Sequence, residues 1–254
     1  LFAATHPNGR FWGVDFNPQH VKNGTAQAAK GELSNVAFLE RSFADLLSED
    51  LPDLDFVTFH GVWSWISPEN RALVRAFLDK KLKPGGIVYV SYNTLPGWGA
   101  LEPIRRLMLD YAASLEGNTE LKVKKTLDYL RRLRDLKVTP QDGTRVEKHI
   151  DDMLKANPAY IAHEYFNADW WPFYFRDVVQ DLGSIGLTWA GSANLLGNEP
   201  ALRHGNTKKK LLEEVADPEA REQMRDHFSN ARFRRDVFVK GKPEGEHVWD
   251  PATN

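Results

Sequence analysis

The sequence predicts an α/β fold, a doubly wound and mostly parallel sheet carrying an all-helical insert. Three observations lead there. Short apolar runs alternate with helical stretches over the first 95 residues, the texture from about 100 to 162 is helical alone, and the alternation then resumes. A β-α-β-α order sets strands side by side with helices over their faces. With 254 residues, 42% of them hydrophobic, the chain can build one substantial core, or one domain plus an insertion.

Each element has its own warrant. Residues 10–15 (RFWGVD) form a β-rich run closed by an acid, and 18–29 follow with helical composition and a proline in the first turn. The next apolar run is 36–39 (VAFL), then a short helical or turn segment at 43–47. A third run, 54–59 (LDFVTF), precedes a helix that Ser67 caps and Pro68 opens, with Leu73, Val74, Phe77 and Leu78 on its apolar stripe. Lys83-Pro84-Gly85-Gly86 stops that helix, and 87–91 is a fourth strand, apolar enough to be covered on both faces. Helices with apolar residues every three or four positions are expected at 101–115, 120–136 and 144–156. Beyond them come an amphipathic helix at 174–182, a strand at 186–193, a charged helix at 218–228 and a strand at 233–239. The expected division is 1–99, 100–173 for the insert, 174–241 to complete the sheet, and a loose tail from 242 to 254.

Composition excludes several classes. A net charge of −2 offers no global positive field to hold nucleic acid or an anionic membrane. The absence of cysteine removes disulfides, thiolate metal sites and cysteine nucleophiles, and points to the cytoplasm. No apolar stretch reaches a membrane span, and no signal peptide stands at the start. The first residue is Leu1 instead of methionine, which suggests a piece of a longer chain.

In open parallel sheets ligands bind beyond the C-terminal strand ends, which here are unusually rich. They carry Asp15-Phe16-Asn17-Pro18, Glu40-Arg41-Ser42-Phe43, His60-Gly61-Val62-Trp63 and Tyr92-Asn93. An acid at a strand tip can accept hydrogen bonds from both hydroxyls of a ribose, and an aromatic one strand further can cover an adenine. Asp15 alone is more often a turn former than a ribose ligand, and Phe43 and His60 have equally plain roles. Their placement at four successive strand ends favours a nucleoside site. His163-Glu164 has no further ligands at workable spacing for zinc. The basic runs Arg131-Arg132-Arg134 and Lys208-Lys209-Lys210 read as solvated helix faces.

Residues 10–18 (RFWGVDFNP), 53–71 (DLDFVTFHGVWSWISPENR) and 82–98 (LKPGGIVYVSYNTLPGW) resemble the later motifs of class I S-adenosylmethionine-dependent methyltransferases. With YIAHEYFNADWWPFYFRDV at 160–178 and FRRDVFVKG at 233–241, they resemble the bacterial subgroup that carries a methyltransferase regulatory domain. The resemblance implies a Rossmann-like sheet and S-adenosyl-L-methionine as cofactor. It assigns cofactor contacts to Asp15, Phe16, Ser42, Phe43, His60 and Gly61. It places Tyr92, Asn93 and His163 at the acceptor, with a protein lysine preferred to a small molecule. A non-catalytic binding or regulatory module is the alternative. Ser42 stands where many relatives carry an aspartate on the adenine amine, so this contact would rest on Phe43 and backbone groups. The plain reading of Tyr92 and Trp98 is that they fasten the insert to the sheet. The aromatic cluster Tyr165, Phe166, Trp170, Trp171, Phe173, Tyr174 and Phe175 is by default core, or else the wall of an acceptor channel.

The family's opening strand and its ExGxGxG loop have no counterpart in these residues, which is read as truncation. All four early strands are expected in one sheet, with those near 187–193 and 233–239 beside the last of them and 233–239 antiparallel, and a split into two sheets would sink the methyltransferase reading. The absent strand's place lies between 10–15 and 54–59, so these either pair directly or leave a gap. Cofactor affinity in this chain is then expected at least about a hundredfold below that of a longer parent, about 2.7 kcal/mol.

Overall fold

The computed structural model of the chain describes residues 1–138, 144–194 and 200–241. The expected loose tail, 242–254, lies outside the described residues. The chain divides into two compact units, one of residues 1–53 and 68–81, the other of 54–67 and 82 onward.

The first unit holds β1 (Phe11–Asp15) and β2 (Val36–Glu40) with α1 (Phe2–Thr5), α2 (Pro18–Lys30), α3 (Phe43–Leu46) and α4 (Pro68–Lys81). β1 and β2 pair in parallel, Phe11 opposite Val36 and Asp15 opposite Glu40. The Asn17 side chain accepts the Gln19 N–H and Pro18 occupies the first helical position, so α2 starts where the sequence places it. Gly13 of β1 and Gly24 of α2 flank the Phe38 ring so closely that a Cβ on either would lie 2.7 or 2.5 Å from it. α4 buries Val74, Phe77 and Leu78.

The second unit contains a four-stranded sheet ordered β3-β4-β6-β5, with β3 (Leu54–Phe59), β4 (Leu82–Asn93), β5 (Leu187–Ser192) and β6 (Phe233–Lys240). β3 is parallel to β4, β6 is antiparallel to β4, and β5 is antiparallel to β6. Three of its four strands therefore run the same way, with β6 reversed as expected. β4 begins at Leu82, earlier than the expected 87, because the KPGG segment stays in the strand with a register shift between Leu54 and Phe56 and Gly85 at φ +76°. Only glycine adopts that backbone geometry without strain.

The expectation of one sheet for all four early strands is not met. β1 pairs only with β2, and β3 only with β4, among the described residues. Of the two alternatives, direct pairing of β1 with β3 is not seen among the described residues. The early strand ends thus fall into two neighbouring pairs, β1 with β2 and β3 with β4.

Between β4 and β5 run α5 (Glu102–Ala113), α6 (Thr119–Asp135), α7 (Thr144–Lys155), α8 (Pro158–Tyr165) and α9 (Phe175–Gly183). Between β5 and β6 lie α10 (Pro200–Glu213), which the sequence reading did not place, and α11 (Pro218–Ser229). α5 to α8 share a core of their own, built on Trp98, Ile104, Met108, Val123, Leu130, Ile150, Met153, Ile161 and Tyr165. Apolar residues at three- and four-residue spacing turn one stripe of each helix inward, which is why this texture reads clearly in the sequence.

Candidate functional site

In the first unit Asp15 ends β1 with its carboxylate fixed from two sides. Oδ1 accepts the Asn17 N–H at 2.9 Å and Oδ2 meets His20 Nδ1 at 2.9 Å. Burial pushes its pKa up, but these hydrogen bonds outweigh burial and hold it below the ordinary aspartate value. An ionised acceptor, 38% exposed, therefore stands at the strand tip. Phe16 beside it is 78% exposed, as an aromatic free to cover a ligand face would be. Ser42 caps α3: its Oγ donates to Asp45 Oδ2 at 2.7 Å and accepts the Asp45 N–H, while Asp45 reaches back to the Ser42 N–H. This local capping box occupies the serine hydroxyl, and Phe43 follows it, partly buried.

In the second unit His60 and Gly61 follow β3. The His60 ring stacks on Tyr89, its Nδ1 lies 3.1 Å from the Tyr89 hydroxyl and 3.3 Å from Ser91 Oγ, and the Gly61 N–H donates to Ser91 Oγ at 2.8 Å. Gly61 has φ +65° and open space where a Cβ would stand. Because Phe59 pairs with Val90, parallel pairing brings His60 and Gly61 to the end of β4.

Tyr92 requires a correction. Its side chain is 1% exposed, and its hydroxyl donates to Asp236 Oδ2 at 2.7 Å. Burial, with Asp236 alongside, raises its pKa well above the usual phenol value. A phenol enclosed in this way does not line an acceptor's path. Asp236 also accepts from Arg234 Nε at 2.8 Å and Trp189 Nε1 at 3.1 Å, and Arg234 reaches on to Asp226 Oδ1 at 2.8 Å and Glu222 Oε1 at 3.0 Å. Burial works against the Arg234 charge, yet the carboxylates around it, Asp236 foremost, raise its pKa. Burial pushes Asp226 up to about 6. The alternation in FRRDVFV was the available signal, since it puts Arg234, Asp236 and Phe238 on one buried face.

Trp98 also has a fastening role. Its indole donates to the Arg232 carbonyl at 2.8 Å and its ring joins the helical core. Gly97 donates to the Ala231 carbonyl at 2.9 Å, and a Cβ there would stand 2.3 Å from that oxygen. The loop after β4 is thus polar and aromatic because two distant segments are tied to it.

Asn93 stands differently. Its backbone N–H donates to Ser64 Oγ at 2.9 Å and its carbonyl accepts from the Phe173 N–H at 3.0 Å. Its side-chain Nδ2 points to Glu164 Oε1 at 3.5 Å. His163, exposed on α8, holds its ring 5.2 Å from the Trp65 ring. Asn93, His163, Glu164, Ser64 and Trp65 therefore gather at the C-terminal end of β4. The sequence reading weighed Glu164 only as a metal ligand, and Ser64 and Trp65 not at all; their positions just past β3 were the signal. Of the aromatic cluster, Tyr165, Trp170 and Phe175 are buried core, while Trp171 is 41% exposed. A groove of about 820 Å³ lies along Arg176, Gln180, Thr188, Trp189 and Glu219. Among the described residues no three acidic or histidine side chains gather as metal ligands, and no helix is long and apolar enough to cross a membrane.

An α/β sheet with its last strand reversed, and polar groups collected beyond the strand ends, defines the architecture of a class I S-adenosylmethionine-dependent methyltransferase. The chain belongs to the methyltransferase domain family, whose pattern it matches over residues 1–150. Residues 157–240 match the family described as predicted methyltransferase regulatory domain. These matches uphold the reading that the divided sheet counted against. An uncharacterized protein of Synechocystis sp. is 38% identical over 95% of this chain and 48% of its own length. One from Rickettsia prowazekii is 26% identical over 91% of this chain and 42% of its own. Among solved structures, PKMT2 from Rickettsia typhi in complex with AdoHcy is 25% identical with a TM-score of 0.74, covering 95% of this chain and 47% of that one. The chain spans about half the length of these relatives.

Proposed function

We propose that the chain is the catalytic part of a bacterial, cytoplasmic S-adenosylmethionine-dependent methyltransferase acting on an amine, with a protein lysine preferred to a small molecule. The observation that carries this reading is the group at the end of β4, where Asn93 is fixed by Ser64 and Phe173 beside Glu164, His163 and Trp65. The AdoHcy bound to the Rickettsia typhi structure supports S-adenosyl-L-methionine as the cofactor. When bound, S-adenosyl-L-methionine would supply a methyl group carried on a sulfonium, with a neutral thioether as the leaving group.

The residues present fit the nucleoside end of that molecule. Asp15 offers an ionised carboxylate to the ribose hydroxyls, Phe16 an exposed ring, and Phe43 with the backbone of Ser42 a place for the base. No ExGxGxG loop for the methionine end occurs in these residues. On this reading 1–99 binds cofactor, the helical segment 100–173 selects the acceptor and 174–241 completes the sheet. Methyl transfer asks for an in-line approach at about 3 to 3.5 Å and a site that strips water from the nucleophile. Asn93 and Trp65 supply such a rim.

Calorimetric titration with S-adenosylmethionine and its demethylated product tests the reading. Binding of both by the full-length parent, with label transferred to a lysine-bearing protein, is the expected result. Binding to neither would favour the non-catalytic module.

A further inference from the structure

Glu164 is the least satisfied acid at the end of β4. It sits in the last turn of α8 with a half-buried carboxylate. Its only hydrogen bond among the described residues is the 3.5 Å contact from Asn93, at the outer limit for such a bond. Burial raises its pKa, against smaller opposing effects of Asn93 and His163, and no lysine or arginine contributes. A carboxylate can accept about four hydrogen bonds, and one removed from water without partners is costly to keep charged. The surroundings suit a cationic donor from outside: the Trp65 ring lies against His163, and Tyr160, more than half exposed, feels the Glu164 charge. Aromatic faces beside a carboxylate attract an ammonium group.

We propose that Glu164 is the catalytic residue that receives the acceptor's ammonium group, a lysine side chain, and takes its proton. The inference rests on the methyl-transfer reading above. One N–H bond of the ammonium breaks, the proton passes to a Glu164 oxygen, and the nitrogen keeps the electron pair. That pair bonds the methyl carbon as the carbon–sulfur pair stays with sulfur, so the positive charge ends on the methylated nitrogen. Asn93 holds the carboxylate in place from the strand side.

The test titrates the chain with Nα-acetyl-lysine amide and with its norleucine analogue, following the ¹³C signal of the Glu164 carboxyl, assigned through Glu164→Gln. Glutamine keeps an oxygen for Asn93, so a purely structural role would survive the change. Expected are a fall of about one unit or more in the Glu164 pKa with the lysine probe, binding at least about tenfold weaker in Glu164→Gln, and little binding of the norleucine analogue to either protein. Equal lysine affinity in the two proteins, or norleucine binding as well as lysine, overturns the assignment. S-adenosylmethionine affinity is measured alongside: if it is absent in the longer parent, the functional reading falls, while the amine titration still decides the role of Glu164.

Discussion

β1 and β4 hold their functional tips in opposite ways. β1 and α2 contain no fully buried residue, and the groups that fix Asp15 lie two and five positions away in sequence. β4 buries six of its last eight positions, leaving Ile87 exposed and Tyr89 partly so between Gly86 and Asn93. Its tip is fixed from afar, since Tyr92 meets Asp236 at a separation of 144 residues and Asn93 takes its bonds from Ser64 and Phe173. The contrast teaches that the candidate ribose contact depends on a local turn, whereas the candidate acceptor site depends on the fold of the second unit.

The largest expected effect tests the long-range side. Arg234→Met leaves Asp226 and Asp236 buried without a cation and Glu222 with Arg225 alone, and should cost about 3 to 5 kcal/mol. Chemical denaturation measures that loss, and hydrogen exchange should show it spread over β4, β5 and β6. A loss below about 1 kcal/mol would remove the network from its central role. Asp15→Ala tests the local side: in the full-length parent it should weaken S-adenosylmethionine by about 1.5 to 3 kcal/mol, with the fold intact. Unchanged affinity returns Asp15 to turn formation.

A third expectation concerns acid. His149 lies 2.6 Å from the Tyr165 hydroxyl and 3.1 Å from Arg232 Nη1, and burial, with Arg232 assisting, lowers its pKa to about 4. Because the unfolded chain binds this proton near pH 6.5, the neutral histidine's contribution is complete above that pH and is lost as pH falls toward 4. Asp226 acts oppositely: its pKa, raised to about 6, favours the folded state at low pH and ceases to do so as pH rises from about 4 through 6. Allowing for partial exposure, His149→Gln should spare about 1 to 2 kcal/mol of the loss between pH 6.5 and 4, and Asp226→Asn should steepen it. Thermal unfolding across that range reads both slopes. The smallest effect is Asn17→Ala, which removes the α2 cap for about 1 kcal/mol and should loosen hydrogen exchange in α2 while leaving β4 unchanged.

The same contrast explains what the sequence disclosed. Helices were legible because their apolar spacing is local, and Asn17 and Pro18 mark the start of α2 within two residues. Asp15, Phe16 and Asn93 were found as strand-end residues. Tyr92 was misplaced because its partner Asp236 lies on a strand 144 positions later, and the alternation in FRRDVFV marks Asp236 as buried without saying what it meets. Glu164 was undervalued for a related reason, its partner Asn93 being 71 residues away. The single sheet failed as an expectation because alternation gives the order of elements along the chain and not which strands are hydrogen-bonded to which.

The bridge between Thr94 and Phe173 has a wider consequence. The Thr94 hydroxyl donates to the Phe173 carbonyl at 2.7 Å, and the Leu95 N–H meets the same oxygen at 2.8 Å. The chain leaves the sheet at one residue and returns beside it 79 positions later. Whatever lies between is a closed excursion whose ends are already joined, and the entropy of closing such a loop grows only slowly with its length. The helical segment is thus a cassette, whose length and surface can change without redrawing the strands that it interrupts.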